Sequence, residues 1–251
     1  MECYELSQFL DKTLRVKDIE DESNNGLQVA NQGAIKKIGF AVSATMDVFE
    51  LAKEAGCQMI VVHHGISWKD SLKYITDVNY ERIKFLINNN IALYACHLPL
   101  DKHPSLGNNI HLCKLFGLKN VKEFGEYNKA LIGFMGSLDK EILLRDFVNL
   151  AENKLKTTFD VLDFGKKNIK RIAIVSGGAA RMVAQAAKQK ADLYFTGEPS
   201  LSAYNLAKEL KINLVYAGHY ATETFGVKAL AALLKKRFGV NTVFLDTPIK
   251  F

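Results

Sequence analysis

Seven side chains able to bind a cation or move a proton stand just after short apolar runs. His63 and His64 follow Met59-Ile60-Val61-Val62, and His97 and Asp101 follow the run ending at Ala95. Glu198 follows Leu193–Thr196, and His219 and Glu223 follow Asn213–Tyr216. In open parallel α/β sheets ligands gather beyond the carboxyl ends of strands, so these groups can meet in one cleft if two halves of the chain face each other. So many imidazoles and carboxylates in one pocket would repel or take up protons unless a cation organised them. Imidazole suits zinc, iron or nickel, and carboxylate also suits manganese and can bridge two ions. His219 and Glu223 share one face if they open a helix. His97 and Asp101 have the same spacing, with Pro99 between them placing the segment in a first helical turn or a loop. Neighbouring residues of a strand diverge, so His63 and His64 are expected to serve different ions. The plainer alternative for each residue is a satisfied polar group at a strand end. His103 and His111 have no matched partner and read as structural or surface groups.

The elements that must position these residues alternate between apolar runs and helical patterns, which argues for α/β layers with largely parallel strands. Strands are expected at 36–42, 58–62, 91–95, 130–135, 158–162, 171–175, 193–196, 213–216 and 242–245. Helices are expected at 45–55, 79–89, 106–116, 140–151, 179–188, 201–210 and 222–235. Residues 38–65 match 172–199 in register without a gap, and Ala95–Asp101 matches Ala217–Glu223 as His-x-x-x-carboxylate at a slightly different offset. The expectation is two related halves, 1–122 and 123–251, with one inserted residue explaining the change of offset. Chance likeness between two βαβ units is the alternative.

Composition narrows the function classes. No apolar run approaches the ~20 residues that span a bilayer. The opening MECYELSQFLDKTLRVKD carries acidic residues and no apolar core, so it is not a signal peptide and the cytoplasm is expected. Cys3, Cys57, Cys96 and Cys113 form no C-x-x-C pair and read as reduced, mostly core thiols. The net charge of +6 admits a nucleic-acid partner, but the cations are scattered. The densest groups are Lys166-Lys167 with Lys170-Arg171, and Lys235-Lys236-Arg237 at a helix C-terminus, where cations favour the helix dipole. Ser176-Gly177-Gly178 outlines a phosphate cradle but lacks the P-loop lysine, so tight strand-to-helix packing is the better reading. Asn24–Gln28 reads as a turn into a short strand, with Asn25 and Gln28 as weak candidates for the cleft.

Taken together, NNGLQV, VVHHG, CHLPLD, VSGGAA, TGE and GHYATETFG resemble, in this order, the GTP cyclohydrolase 1 type 2 homologues, also called NIF-three-like proteins. The resemblance runs from about residue 20 to the end, and VVHHG and GHYATE are its specific motifs. It implies two α/β halves facing across a dinuclear metal cleft and a ring-shaped homohexamer. Carried over by motif, the ligands of the two divalent ions are His63, His64, Asp101, His219 and Glu223. Two segments depart from the pattern. Glu20-Asp21-Glu22-Ser23 replaces an aromatic acidic cluster, and Tyr204 stands where members often place a histidine. The expected function is metal-dependent hydrolysis, with His97 or Glu198 as general acid/base and Asp101 or Glu223 as bridge. Arg181 or Lys69 would meet the phosphate of a purine nucleotide. Iron delivery in cofactor assembly and a regulatory nucleic-acid or protein scaffold are the competing functions.

Overall fold

The computed structural model describes residues 1–249 and divides into two compact units. The first holds Met1–Leu100 together with Gly226–Thr247, and the second is built on Asp101–Phe225. The units therefore part at Leu100 rather than near residue 123, and packing explains the difference. Ile110, Leu112, Cys113, Phe116 and Leu118 share a core with Phe147, Ile172 and Phe195, which draws the segment before residue 123 into the second unit.

The first unit contains α1 (Cys3–Leu14), β1 (Gly26–Val29), β2 (Lys37–Ser43), α2 (Met46–Glu54) and β3 (Met59–His64). After these come α3 (Asp77–Asn88), β4 (Ala92–Ala95) and the single turn α4 (Leu98–Asp101), whose last residue begins the second unit. The sheet order is β1-β4-β3-β2-β11, where β11 is Asn241–Phe244 near the end of the chain. All neighbours pair in parallel except β1, which closes the edge against β4. Ile38, Phe40, Ile60 and Val62 are fully buried, the continuous apolar run expected of strands covered on both faces. Thr45 opens α2, its hydroxyl accepting the Val48 N–H, and Val48, Phe49 and Ala52 pack that helix onto the sheet.

The second unit contains α5 (Asn108–Leu115), β5 (Lys119–Tyr127), β6 (Ala130–Leu143), α6 (Leu144–Leu155), β7 (Asp160–Asp163) and β8 (Asn168–Ile174). It continues through α7 (Val183–Lys188), β9 (Leu193–Thr196), α8 (Leu201–Glu209), β10 (Asn213–Tyr216) and the start of α9 (His219–Phe238), whose residues from Gly226 onward belong to the first unit. The order is β5-β6-β8-β9-β10-β7. β8, β9 and β10 form a parallel centre, flanked by antiparallel β5–β6–β8 on one side and β7 on the other. Two local expectations differ here. Residues 140–143 end β6 instead of opening a helix, because Ile142 and Leu143 pair with Ile169 and Asn168. β5 carried no alternating apolar signal, since most of its residues are exposed or half-buried and its order comes from β6.

Strand register supports the internal repeat. Ile38 pairs with Met59 in the first sheet and Ile172 with Leu193 in the second, so one offset relates both partners. The next strands are related by a different offset, since Val62 pairs with Ala95 and Thr196 with Tyr216. One extra residue then separates strand from histidine in the second unit. His97 is the second residue after β4, whereas His219 is the third after β10 and follows Gly218 at φ 88°. Glycine adopts that left-handed turn without steric cost. That turn residue accounts for one position only. The offset falls from 134 between the first strand pairs to 122 between the histidines because the connection from β3 to β4 is longer than that from β9 to β10, so the single insertion expected from the sequence does not explain it.

Candidate metal centre

In the first unit three imidazoles gather at the carboxyl ends of β3 and β4. His63 and His64 are the last two residues of β3, which runs two residues past the end expected from the sequence. Their rings do not diverge. The centroids are 4.7 Å apart, and the His97 ring lies 5.0 Å from His63 and 5.6 Å from His64. Each ring is held through Nδ1. His63 Nδ1 donates to the Cys96 carbonyl at 3.0 Å, His64 Nδ1 lies 3.0 Å from Ser43 Oγ, and His97 Nδ1 lies 2.9 Å from Asp21 Oδ1. An Nδ1 that donates its proton leaves Nε2 with the lone pair, the form in which neutral imidazole ligates a metal. The three residues offer ligand atoms within 4.8 Å of one another.

Asp21 is the residue that sequence reasoning passed over. Its side chain is 3% exposed, and it accepts N–H groups from Ser23, Leu98 and Asn25 as well as His97. Burial works to raise its pKa, but hydrogen bonds and charge from His97, with Asn25 and Ser23, hold it down to about 2. The only hint in the sequence was an acidic run before NNGLQ, which gave no sign that one of its three carboxylates turns inward. Asn25 also accepts the His97 backbone N–H at 2.7 Å, and Gln28 Oε1 accepts that of Ile66 at 2.8 Å. The NNGLQ turn therefore braces both histidine segments. A Cβ on Gly65 would strike the Gln28 amide, which explains the glycine after the histidine pair. Trp68 packs 5.1 Å from the His97 ring.

The second unit gathers carboxylates around one imidazole. His219 is the first residue of α9, so Glu223 one turn later lies on the same face, with Oε2 3.0 Å from His219 Nε2. Glu198, just beyond β9, reaches His219 Nδ1 at 2.5 Å. Burial would lower the His219 pKa, but Glu223 and Glu198 together raise it to about 9. Asp101 is 5% exposed and accepts from Asn108 at 2.8 Å and from the Ser176 hydroxyl at 3.1 Å. Asn109 positions Ser176 by accepting its backbone N–H at 2.7 Å. Asp101 and Glu223, the latter 2% exposed, bring carboxylate oxygens within 4.8 Å of each other. Two buried carboxylates this close favour a bound cation or a shared proton. Imidazole nitrogen and carboxylate oxygen in this combination fit a divalent transition metal.

A model of the family described as Duf34/NIF3 (NGG1p interacting factor 3) matches residues 1–249. The chain belongs to the DUF34/NIF3 family. Among NIF3-family relatives, a Pyrococcus horikoshii protein named GTP cyclohydrolase 1 type 2 homolog is 42% identical over 249 residues, covering 99% of each chain. A relative of the same name from Archaeoglobus fulgidus is 41% identical over 248 residues, again with 99% of each covered. Among solved structures, TTHA1606 from Thermus thermophilus superposes with a TM-score of 0.92 at 36% identity and full coverage of both chains. Reduced HcgD from Methanocaldococcus jannaschii superposes with a TM-score of 0.85 at 28% identity over 98% of each chain.

The remaining positions singled out in the sequence have plain placements. Tyr204 packs edge-on against Phe164 at 5.3 Å. Lys69 pairs with Glu22 at 2.7 Å, and Arg181 is exposed in the 3-10 turn Ala180–Met182. His103 Nδ1 accepts the backbone N–H groups of Ser105 and Leu106. Ser176-Gly177-Gly178 packs against carboxylates, since a Cβ on Gly177 would strike Glu223 and one on Gly178 would come 3.2 Å from Glu198. That surrounding disfavours a phosphate. All four cysteines are buried thiols. No helix of the described residues is long and apolar enough to cross a membrane.

Proposed function

We propose that this chain is a cytoplasmic metal-dependent hydrolase in which His63, His64, Asp101, His219 and Glu223 hold two divalent ions. The observation that carries the proposal is the close approach of the buried Asp101 and Glu223 carboxylates, which a bound cation would stabilise. The Nδ1 anchors of His63 and His64 support it, because they leave Nε2 for coordination. Zinc, iron, manganese and nickel all suit this donor set. When bound, such ions lower the pKa of a coordinated water and polarise the group under attack.

The chain's own residues divide the remaining work. His97 is the general acid/base, because Asp21 fixes its Nδ1 and leaves Nε2 to exchange a proton. Glu198 positions His219 through Nδ1, and its 45% exposed side chain remains open to a second role in proton transfer. Glu223, buried beside both Asp101 and His219, would share in holding the ions with them. A purine nucleotide is the proposed substrate class, by analogy with the names the relatives carry. A homohexamer is the proposed assembly, and light scattering on the purified chain tests it.

The deciding experiment measures metal content of untagged protein by plasma mass spectrometry, followed by a nucleotide hydrolysis screen with the metal found. About two ions per chain, lost in His64→Ala and Glu223→Gln, with turnover of a purine nucleotide, is the expected outcome. Two exchangeable ions without turnover would instead favour an iron or metal carrier. Failure to bind metal even on incubation would overturn the dinuclear proposal.

A further inference from the structure

The second unit carries its surplus positive charge in two adjoining clefts that the proposed centre does not use. The first, of about 830 Å³, is lined by the ends of β6 and β7 and the starts of α6 and β10, with Arg145, Lys166 and Lys167 supplying the charge. The second, of about 460 Å³, shares Lys166 and adds Lys122, Lys170, Arg171 and Lys190. Against these seven cations stand Asp163, Glu141 and Asp192, a surplus of four in a chain whose net charge is +6. The charge scattered in sequence is thus gathered by the fold.

The clefts lie at the end of the sheet opposite the carboxylates. Asn213, which lines the first cleft, begins β10, whereas His219 follows the far end of that strand. Arg171 and Lys170 lie in the first half of β8, whereas Ser176 and Gly177 follow its far end. Asp192 organises the second cleft. It accepts the backbone N–H groups of Lys170 and Arg171 at 3.0 and 2.9 Å and pairs with Lys166 at 3.0 Å, which fixes the spacing of the cationic side chains.

We infer that these two clefts form one docking surface for the phosphate backbone of duplex nucleic acid. Repeated phosphates match a row of separated cations better than one small anion does, because each neutralised phosphate releases a condensed counterion. Single strands are held largely by stacking of bases on aromatic side chains, and among the described residues none that lines either cleft is aromatic. The lining offers backbone contacts without a platform for unpaired bases, so duplex is preferred and sequence is not read.

The test measures fluorescence anisotropy of a labelled mixed-sequence DNA duplex of about 20 base pairs with the full chain, titrated at several salt concentrations. Lys170→Glu/Lys190→Glu and Arg145→Glu/Lys167→Glu are each expected to weaken binding at least about tenfold and to make the log–log salt slope shallower by about 0.9 per lost phosphate contact. The single variant Lys190→Gln, at an exposed position, should weaken binding in the same direction. His64→Ala should bind like wild type, which separates this surface from the proposed metal centre. Tighter binding of a single strand of equal length would overturn the duplex assignment. Displacement of the duplex by inorganic pyrophosphate at equal phosphate concentration would reduce the surface to a small-anion site and overturn it too. Absence of binding at low salt, or binding unchanged in both double variants, would sink the inference altogether.

Discussion

Asp21 and His97 are 76 positions apart in sequence, yet the buried Asp21 carboxylate holds His97 Nδ1 at 2.9 and 3.2 Å and also accepts the backbone N–H of Leu98. Glu198 takes the equivalent Nδ1 position on His219 in the second unit. Each half of the repeat thus orients its post-strand histidine with a carboxylate, although the two carboxylates come from unrelated parts of the sequence.

Asp21→Asn should destabilise the chain by about 2–3 kcal/mol, because an amide has one accepting oxygen in place of two and cannot accept from all the N–H groups that converge there. A urea titration of wild type and variant reads this directly from the shift in midpoint. An unchanged midpoint would mean that the Asp21–His97 contact is not a structural link.

Gly177 stands at φ 63°, and a Cβ there would strike Glu223. Gly177→Ala should cost about 1–2 kcal/mol from backbone conformation alone and should also displace the carboxylate. Metal content per chain is expected to fall along with stability. Gly33→Ala, where φ is 86° and no neighbour lies within 4 Å, is the control that carries only the backbone cost.

Metal loading should stabilise the wild-type chain. With free ion at one hundred times its dissociation constant, the gain is about 2.7 kcal/mol and is reversed by a chelator. Glu223→Gln removes one of two facing carboxylates and should show no such gain. Differential scanning calorimetry with and without chelator distinguishes the two.

Asp192 sets a pH dependence away from the proposed centre. Burial pushes its pKa up, but N–H groups from Arg171, Lys166 and Lys170 outweigh that and depress it. A carboxyl with a depressed folded pKa contributes stability fully above its ordinary value of about 3.9 and loses it as pH falls through the folded value. Asp192→Asn should therefore be less stable than wild type by about 1 kcal/mol at neutral pH, with the gap closing below about pH 4. Chemical denaturation across pH 3–7 checks the sign. A gap that widened in acid would refute it.

Two apolar runs, Leu193–Thr196 and Asn213–Tyr216, form strands with the bounds their sequence suggested, because a buried parallel strand must be apolar throughout. The repeat was legible for a related reason. Matched strand–turn–helix–strand patterns at a fixed offset require matched register, and Ile38–Met59 and Ile172–Leu193 have it. The sequence by itself determined which imidazoles and carboxylates stand at or just beyond strand ends, since that placement depends only on local pattern. Tertiary structure alone decided that Asp21 turns inward to His97, that the His63 and His64 rings approach rather than diverge, and that Asp101 lies beside Glu223. It also decided that the chain divides at Leu100, and that β11 returns to pair with β2. These outcomes rest on contacts between residues far apart in the chain and on the twist and burial of particular strand ends. Periodicity and spacing, which describe only neighbours, carry no information about either.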